Sequence, residues 1–165
     1  MIKKNCFPLL VLMIVGSLTL SCNRKRYSDI PRIEFVSLEK IANSISFDDK
    51  GILTFYFEDG DGDIGIDTST PDSLLTDDDY NLFIIYYEKQ NGQFKQVIPS
   101  MTMNARIPPL SYSIPESIDG TIDIEIYINN FASPYDTVKF DFYITDITKH
   151  KSNIASTGEV IIKKH

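Results

Sequence analysis

The stretch of this chain best equipped for chemistry is residues 58–67, which read EDGDGDIGID and combine five acidic residues with three glycines. Two carboxylates about 4 Å apart repel by roughly 4 kcal/mol at an effective dielectric near 20. A compact arrangement of Asp59, Asp61 and Asp63 would therefore need a cation, and Ca²⁺ suits it because it takes about six to eight oxygen ligands. An extended loop would need none, since Asp-Gly repeats also form ordinary solvated turns.

The spacing of Asp59, Asp61 and Asp63 matches the first three ligand positions of an EF-hand loop. The match ends there, because Ile64 replaces the required glycine and Thr70 replaces the bidentate glutamate. No helical pattern of convincing length flanks the run. We expect either solvated turns or a calcium loop on another scaffold, completed by acidic residues from the same end of the fold: Asp67, Asp119 or Asp146.

The elements that position this run follow a period of two rather than 3.6. Apolar residues alternate with polar ones over 53–58, and the same pattern is stronger over 122–128 and 138–144. Further candidate strands are 33–38, 82–88, 94–98, a proline-broken piece at 105–112, and 159–163. Asn91-Gly92 predicts a β-hairpin, and Asp119-Gly120 predicts a turn.

Seven or eight short alternating strands in about 130 residues predict an all-β protein, an antiparallel immunoglobulin-like β-sandwich, with a small β-barrel as the alternative. In sandwich topology, strands 53–58, 82–88, 122–128 and 138–144 correspond to B, C, E and F. The BC loop, the DE turn and the FG loop then share one end of the fold. That end would collect residues 59–79, 119–120 and 146–153.

Composition argues against nucleic-acid binding and offers little for catalysis. The chain has 16 basic and 23 acidic residues, for a formal charge of −7, whereas duplex binding needs clustered Lys and Arg. The histidines are His150 and His165, and no nucleophile motif accompanies them. We therefore expect that the protein is not an enzyme.

Two tyrosines suggest a different kind of binding site. Tyr56 and Tyr127 fall on adjacent strands of one sheet in the assumed topology, and both are predicted to face solvent. A flat pair of this kind would stack on a sugar ring, whereas ordinary cross-strand packing would merely stabilise the sheet. Carbohydrate binding is therefore the alternative function.

The N-terminus has the features of an export signal: Lys3 and Lys4, an apolar run over 7–20, and Ser21 before Cys22. Residues 18–22, read LTLSC, resemble the signals of bacterial lipoproteins, although Thr19 stands where those signals place leucine. The resemblance implies cleavage before Cys22 and lipidation of its thiol. The chain then divides into a signal peptide (1–21), a lipidated tether (22–31) and a β-sandwich domain (32–165).

The run FEDGDGDIG, with YITD at 143–146 and KSN at 151–153, resembles Bacteroidota-type lipoproteins that combine a lipobox with one β-sandwich. The resemblance implies a cell-envelope location. Basic residues at 24–26, where surface lipoproteins of this group carry acidic ones, favour the periplasmic side, with the cell surface as the alternative. We expect a non-enzymatic, lipid-anchored envelope protein whose acidic loop end, ordered by Ca²⁺, binds a protein partner.

Overall fold

The computed structural model describes residues 27–42, 47–71, 74–110 and 116–164, so the predicted signal peptide and Cys22 lie outside the described residues. Within this part the chain forms eight strands and one short 3-10 helix, Asp77–Asp79. The strands are β1 (Arg32–Ala42), β2 (Asp48–Asp59), β3 (Leu82–Gln90), β4 (Gln93–Gln96), β5 (Ile118–Tyr127), β6 (Thr137–Ile144), β7 (Ala155–Ser156) and β8 (Val160–Ile161). The all-β prediction is confirmed.

Two antiparallel sheets pack as a sandwich. One has the order β1-β2-β5, and the other has the order β4-β3-β6-β7, with β8 also pairing with β6. Pairing of β2 with β5 and of β3 with β6 agrees with the predicted B–E and C–F neighbours. The sheets are not joined into a barrel within the described residues, so the sandwich is correct and the barrel alternative is not.

The core lies between the sheets and is built by the alternating apolar positions. Val138, Phe140, Phe142 and Ile144 of β6 are all fully buried. They face β2, whose Phe55 ring lies 5.5 Å from that of Phe142, centroid to centroid. Burying each such side chain stabilises the fold by about 1.5–3 kcal/mol. Burial between the sheets therefore holds the scaffold on which the acidic run sits.

The predicted hairpin joins β3 and β4. Asn91 and Gly92 both have positive φ, 53° and 79°, as a type I′ turn requires. The strand predicted over 94–98 is β4, and it ends at Gln96, although the Val97 amide still donates to the Tyr86 carbonyl at 3.0 Å. The hairpin prediction is confirmed.

The predicted strand over 105–112 is not formed within the described residues. Only Ala105 makes a bridge, to Leu82, because Pro108 and Pro109 have no N–H to donate. The buried side chain of Asn81 substitutes for a strand partner. Its Oδ1 accepts from the Ile107 amide at 2.6 Å, and its Nδ2 donates to the Ile107 carbonyl at 3.1 Å.

The turn predicted at Asp119-Gly120 is also wrong, because both residues lie inside β5 opposite Glu58 and Phe57. A glycine there leaves room for the ring of Phe57, which would lie 3.4 Å from an added Cβ. The DE connection thus precedes this pair, and Asp119 is a strand residue.

Register places the acidic run at one end of the sandwich. Asp59, at the end of β2, pairs with Ile118 at the start of β5, and Leu82 pairs with Ile144 at the end of β6. The loop after β2 and residues 145–154 after β6, the FG loop, therefore meet there. We call this the acidic end. Among the described residues, no helix is long and apolar enough to cross a membrane.

Candidate metal centre

The acidic loop, residues 59–65, is compact, and its residues are either buried or partly buried. Asp59 is fully buried, and Ile64 is 2% exposed. One carboxylate oxygen from each of Asp59, Asp61 and Asp63 lies within 4.8 Å of the others. The structure therefore shows the compact arrangement and not a solvated turn.

The first glycine of the loop lets the N-terminal segment cross it. A Cβ added at Gly60 would lie 2.6 Å from the Tyr27 carbonyl oxygen and from the Ser28 carbonyl carbon. Backbone can approach that closely only where there is no side chain. Residues 27–31, predicted to be part of a tether, thus lie against the domain, and Pro31 is buried.

Gly62 and Gly65 need to be glycine for their backbone conformation as well as for lack of space. Gly62 and Gly65 have φ values of +71° and +124°, a region that other residues rarely adopt. A Cβ at Gly62 would overlap the Glu116 carbonyl oxygen, and one at Gly65 would overlap the backbone of Pro109. Alternation of Asp and Gly therefore gathers carboxylates on one side while neighbouring backbone packs on the other.

Each of the three carboxylates has one oxygen without a hydrogen-bond partner. Among the described residues, Oδ1 of Asp59, of Asp61 and of Asp63 is buried with no hydrogen-bond donor. The other oxygen of Asp59, Oδ2, accepts from the Asp63 amide at 3.0 Å. A buried polar atom without a partner costs about 1–3 kcal/mol, and more when it is charged. Three such oxygens in one loop form a site that a cation would complete.

The electrostatics of the loop agree with this geometry. Burial, followed by the charges of Asp61 and Asp63, raises the pKa of Asp59 to about 6. Burial likewise raises the pKa of Asp63 to about 6, followed in importance by the charges of Asp146 and Asp61. Negative charge is therefore concentrated here in excess of the positive charge around it.

Asp146, predicted as a ligand, lies beside the group but has other partners. Its side chain is fully buried, its Oδ2 lies 2.9 Å from His150 Nδ1, and its Oδ1 accepts from the His150 amide at 2.8 Å. The Thr148 hydroxyl donates to the same Oδ1. Asp146 therefore organises the FG loop, and the Ile147 amide in turn donates to the Asp63 carbonyl at 3.3 Å.

Asp67 and Asp119 are not part of the site. Asp67 is exposed and forms a local turn, in which its Oδ1 accepts from the Ser69 amide at 2.9 Å and its Oδ2 from the Ser69 hydroxyl. Asp119 is exposed on the outer face of β5 and accepts from the Tyr56 hydroxyl at 3.1 Å. Asp67, predicted as a ligand, thus lies outside the group of three carboxylates, and Ser69 supplies hydrogen bonds to its carboxylate.

Tyr56 and Tyr127 do lie on adjacent strands, but they do not form a pair. Tyr56 is opposite Thr121, and Tyr127 is opposite Lys50, so six residues of β5, about 20 Å, separate the two rings. The Lys50 ammonium instead lies over the Tyr127 ring, 5.0 Å from the ring centroid. The flat tyrosine platform predicted from the sequence is not formed.

Sequence reasoning missed the hydrogen bonds that join the N-terminal segment to the acidic loop. The Ser117 hydroxyl donates to the Asp59 carbonyl at 3.3 Å and accepts from the Tyr27 amide at 3.2 Å. Nothing in the local pattern indicates a contact between residues 90 positions apart. The Asp146–His150 pair was also missed, although a short Asp-x-Thr-x-His spacing is typical of side chains that cap a turn.

The group has hard oxygen donors, and neither histidine nor cysteine is among its three members. Such a set suits Ca²⁺ or Mg²⁺ and is poorly suited to zinc or copper. Comparison with protein-family models, with curated proteins and with solved structures finds no significant match to this chain. The site's own geometry therefore carries the functional argument.

Proposed function

We propose that this protein is a calcium-binding β-sandwich module of the bacterial cell envelope, attached to a membrane by a lipid on Cys22. The observation that carries the proposal is the set of three buried Oδ1 atoms of Asp59, Asp61 and Asp63 without hydrogen-bond partners in the described chain. A cation would neutralise their repulsion and supply the missing interaction. The bound ion orders the acidic end for binding.

Calcium is favoured over magnesium by the number and packing of the carboxylates. Mg²⁺ usually keeps several waters and takes one or two carboxylates, whereas Ca²⁺ accepts more oxygens in an adaptable geometry. Here three carboxylates converge within one seven-residue loop. The lipid anchor rests on residues 18–22 and their resemblance to lipoprotein signals.

A binding role fits the site better than a catalytic one. His150 is the one histidine within the described residues, and its Nδ1 lies 2.9 Å from the buried carboxylate of Asp146. That pair holds the FG loop in place, because the same carboxylate accepts from the His150 backbone. The Asp146–His150 pair therefore positions the FG loop.

Thermal unfolding tests the proposal. The protein used is residues 22–165, called the mature chain, carrying Cys22→Ser. At a calcium concentration about 100 times the dissociation constant, binding adds about 2.7 kcal/mol to the free energy of unfolding. This should raise the midpoint by roughly 5–10 °C relative to EDTA. Asp61→Asn should abolish the increase, whereas Asp67→Asn, outside the group, should retain it. Equal midpoints in calcium and EDTA would overturn the proposal.

Carbohydrate binding is a second candidate because a cavity of about 460 Å³ lies beside β5. Its walls mix aromatic, charged and amide side chains, including Tyr80, Asn104, Arg106, Glu125 and Tyr127, a combination typical of small-molecule sites. Glycan-array binding that is lost in Tyr127→Ala and kept in Tyr56→Ala would support it. Binding unaffected by Tyr127→Ala would exclude this cavity.

A further inference from the structure

Exposed apolar side chains surround the acidic loop. Ile147 is 61% exposed, and its amide donates to the Asp63 carbonyl at 3.3 Å. Leu110 is 40% exposed, and its amide donates to the Ile64 carbonyl at 3.4 Å. Ile30, 53% exposed, follows the segment that crosses Gly60. The acidic end therefore presents carboxylates and apolar side chains next to one another.

The anchored end of the chain reaches the domain at the same place. Tyr27 and Ser28 lie directly over Gly60, and Tyr27 follows Cys22 by five residues. Five residues of extended chain span at most about 17 Å. A lipid on Cys22 would hold the acidic loop within a short distance of the bilayer, whereas β8, at the opposite end, would lie farther away.

The charge at this end determines when it can approach an anionic surface. Removing Lys3 and Lys4 with the leader leaves 14 basic against 23 acidic residues, a formal charge of −9. Without a cation the acidic loop is repelled by anionic lipids. With Ca²⁺ bound, Asp59, Asp61 and Asp63 supply part of the six to eight oxygens that the ion takes. Coordination positions of the ion that the protein does not fill are open to phosphate oxygens.

We propose that the acidic end docks on the anionic bilayer to which the chain is anchored, with Ca²⁺ bridging the acidic loop to lipid phosphates. Ile30, Leu110 and Ile147 enter the headgroup region, where apolar side chains beside charged groups are stabilised. This inference rests on the calcium binding proposed above and names the partner of that site.

Vesicle co-sedimentation of the mature chain carrying Cys22→Ser, which has no lipid of its own, tests the docking. Vesicles of equal parts phosphatidylglycerol and phosphatidylcholine should bind the protein in calcium and release it in EDTA. Vesicles of phosphatidylcholine alone should bind it at least about tenfold less, because they lack the net negative charge that attracts the bound ion. Asp61→Asn should abolish binding to either.

Matched substitutions separate the apolar contribution from calcium binding. Ile147→Ser should weaken vesicle binding by roughly fivefold or more while leaving the calorimetric affinity for calcium unchanged. Ile161 is 63% exposed on β8, which pairs with the start of β6 at the opposite end. Ile161→Ser should therefore leave vesicle binding unchanged.

Three outcomes would overturn the inference, and they are distinguishable. Calorimetric calcium binding without vesicle binding would refute membrane docking, leave the calcium site standing and favour a protein partner. Vesicle binding that persists in EDTA would refute the bridge. An absence of calcium binding by calorimetry would refute the proposed function and this inference together.

Discussion

At the scale of single residues, Asp59 combines features that oppose each other in the absence of a cation. It is fully buried, its Oδ1 has no partner among the described residues, and the charges of Asp61 and Asp63 act on it. Desolvation and like charge both disfavour the ionised carboxylate, which is why its pKa rises. Either a proton or a metal ion relieves the conflict, so the two should compete.

The pH dependence of stability follows from this competition. In EDTA, the free energy of unfolding should increase as pH falls from about 7 to about 5. The folded-state pKa values of Asp59 and Asp63, about 6, lie above the reference value of 3.8, so the native state binds more protons in this window. Thermal midpoints measured between pH 4 and 7.5 would check this, and Asp59→Asn combined with Asp63→Asn should flatten the profile.

The trend should reverse at lower pH. Hydrogen bonds to the carboxylates of Asp48 and Glu88 outweigh burial and lower both pKa values, so their stabilisation is lost once the pH falls below about 4. In saturating calcium the free energy of unfolding should instead decrease as the pH falls from 7 to 5, because protons then displace the ion. A midpoint in EDTA that decreases steadily from pH 7 to 5 would contradict the raised pKa values.

The sequence was sufficient to select Asp59, Asp61 and Asp63, because ligand spacing within one short loop is local information. The sequence could not exclude Asp67, because it does not show that the Asp67 carboxylate accepts a hydrogen bond from the Ser69 amide in a local turn. Nor could it show that three oxygens would be left without partners, since that depends on distant backbone packing against the loop's glycines.

At the scale of elements, the acidic loop depends on glycine for two separable reasons. Gly62 and Gly158 have nearly the same φ, +71° and +70°, but an added Cβ meets Glu116 at the first and open space at the second. Gly158→Ala should therefore cost about 1 kcal/mol from backbone conformation alone. Gly62→Ala should cost about 2–4 kcal/mol, because overpacking adds to that strain. Urea unfolding of the two variants would measure the difference, and equal costs would show that the loop is not tightly covered.

Two asparagines that mimic a strand partner provide a second matched pair. Asn81 makes two hydrogen bonds to the backbone of Ile107 and is fully buried, whereas Asn153 makes the same two bonds to Ile33 and is exposed. Asn81→Ala should cost about 2–4 kcal/mol, because it leaves the buried Ile107 amide unpaired, although the Ile107 carbonyl keeps its bond from the Ile66 amide. Asn153→Ala should cost about 1 kcal/mol, since water can replace the amide. Equal losses in urea unfolding would contradict the distinction.

The strands were predictable wherever one face is apolar, because alternation with period two fixes which side chains point inward. Alternation does not fix register, so Tyr56 and Tyr127 were placed on the correct strands but treated as neighbours although six positions of β5 separate them. The segment after Ala105 failed for another reason. Its partners are the side chain of Asn81 and the backbone of the loop at Ile64 and Ile66, which no local pattern reveals.

At the scale of the whole molecule, Asp59 links the candidate metal centre to the N-terminal segment. Its side chain belongs to the acidic group, and its carbonyl accepts from the Ser117 hydroxyl, which in turn accepts from the Tyr27 amide. Residues 27–31, predicted as the end of the tether, therefore already contact the domain. An ion bound by Asp59 would therefore also stabilise the contact between the N-terminal segment and the fold.

Amide hydrogen exchange in the mature chain carrying Cys22→Ser would test this link. Calcium should slow exchange at the Tyr27 amide by up to about 100-fold at 100 times the dissociation constant, because opening of that contact would be coupled to release of the ion. Ser117→Ala should remove the effect at Tyr27 while leaving the calorimetric affinity for calcium within about twofold, since the lost hydroxyl bonds the Tyr27 amide and the Asp59 carbonyl rather than a carboxylate. The Val97 amide, bonded to Tyr86 near the β3–β4 hairpin, should respond less than Tyr27 and equally in both proteins. Equal exchange at Tyr27 with and without calcium would mean that the N-terminal segment and the candidate ion site share a location but not a conformational equilibrium.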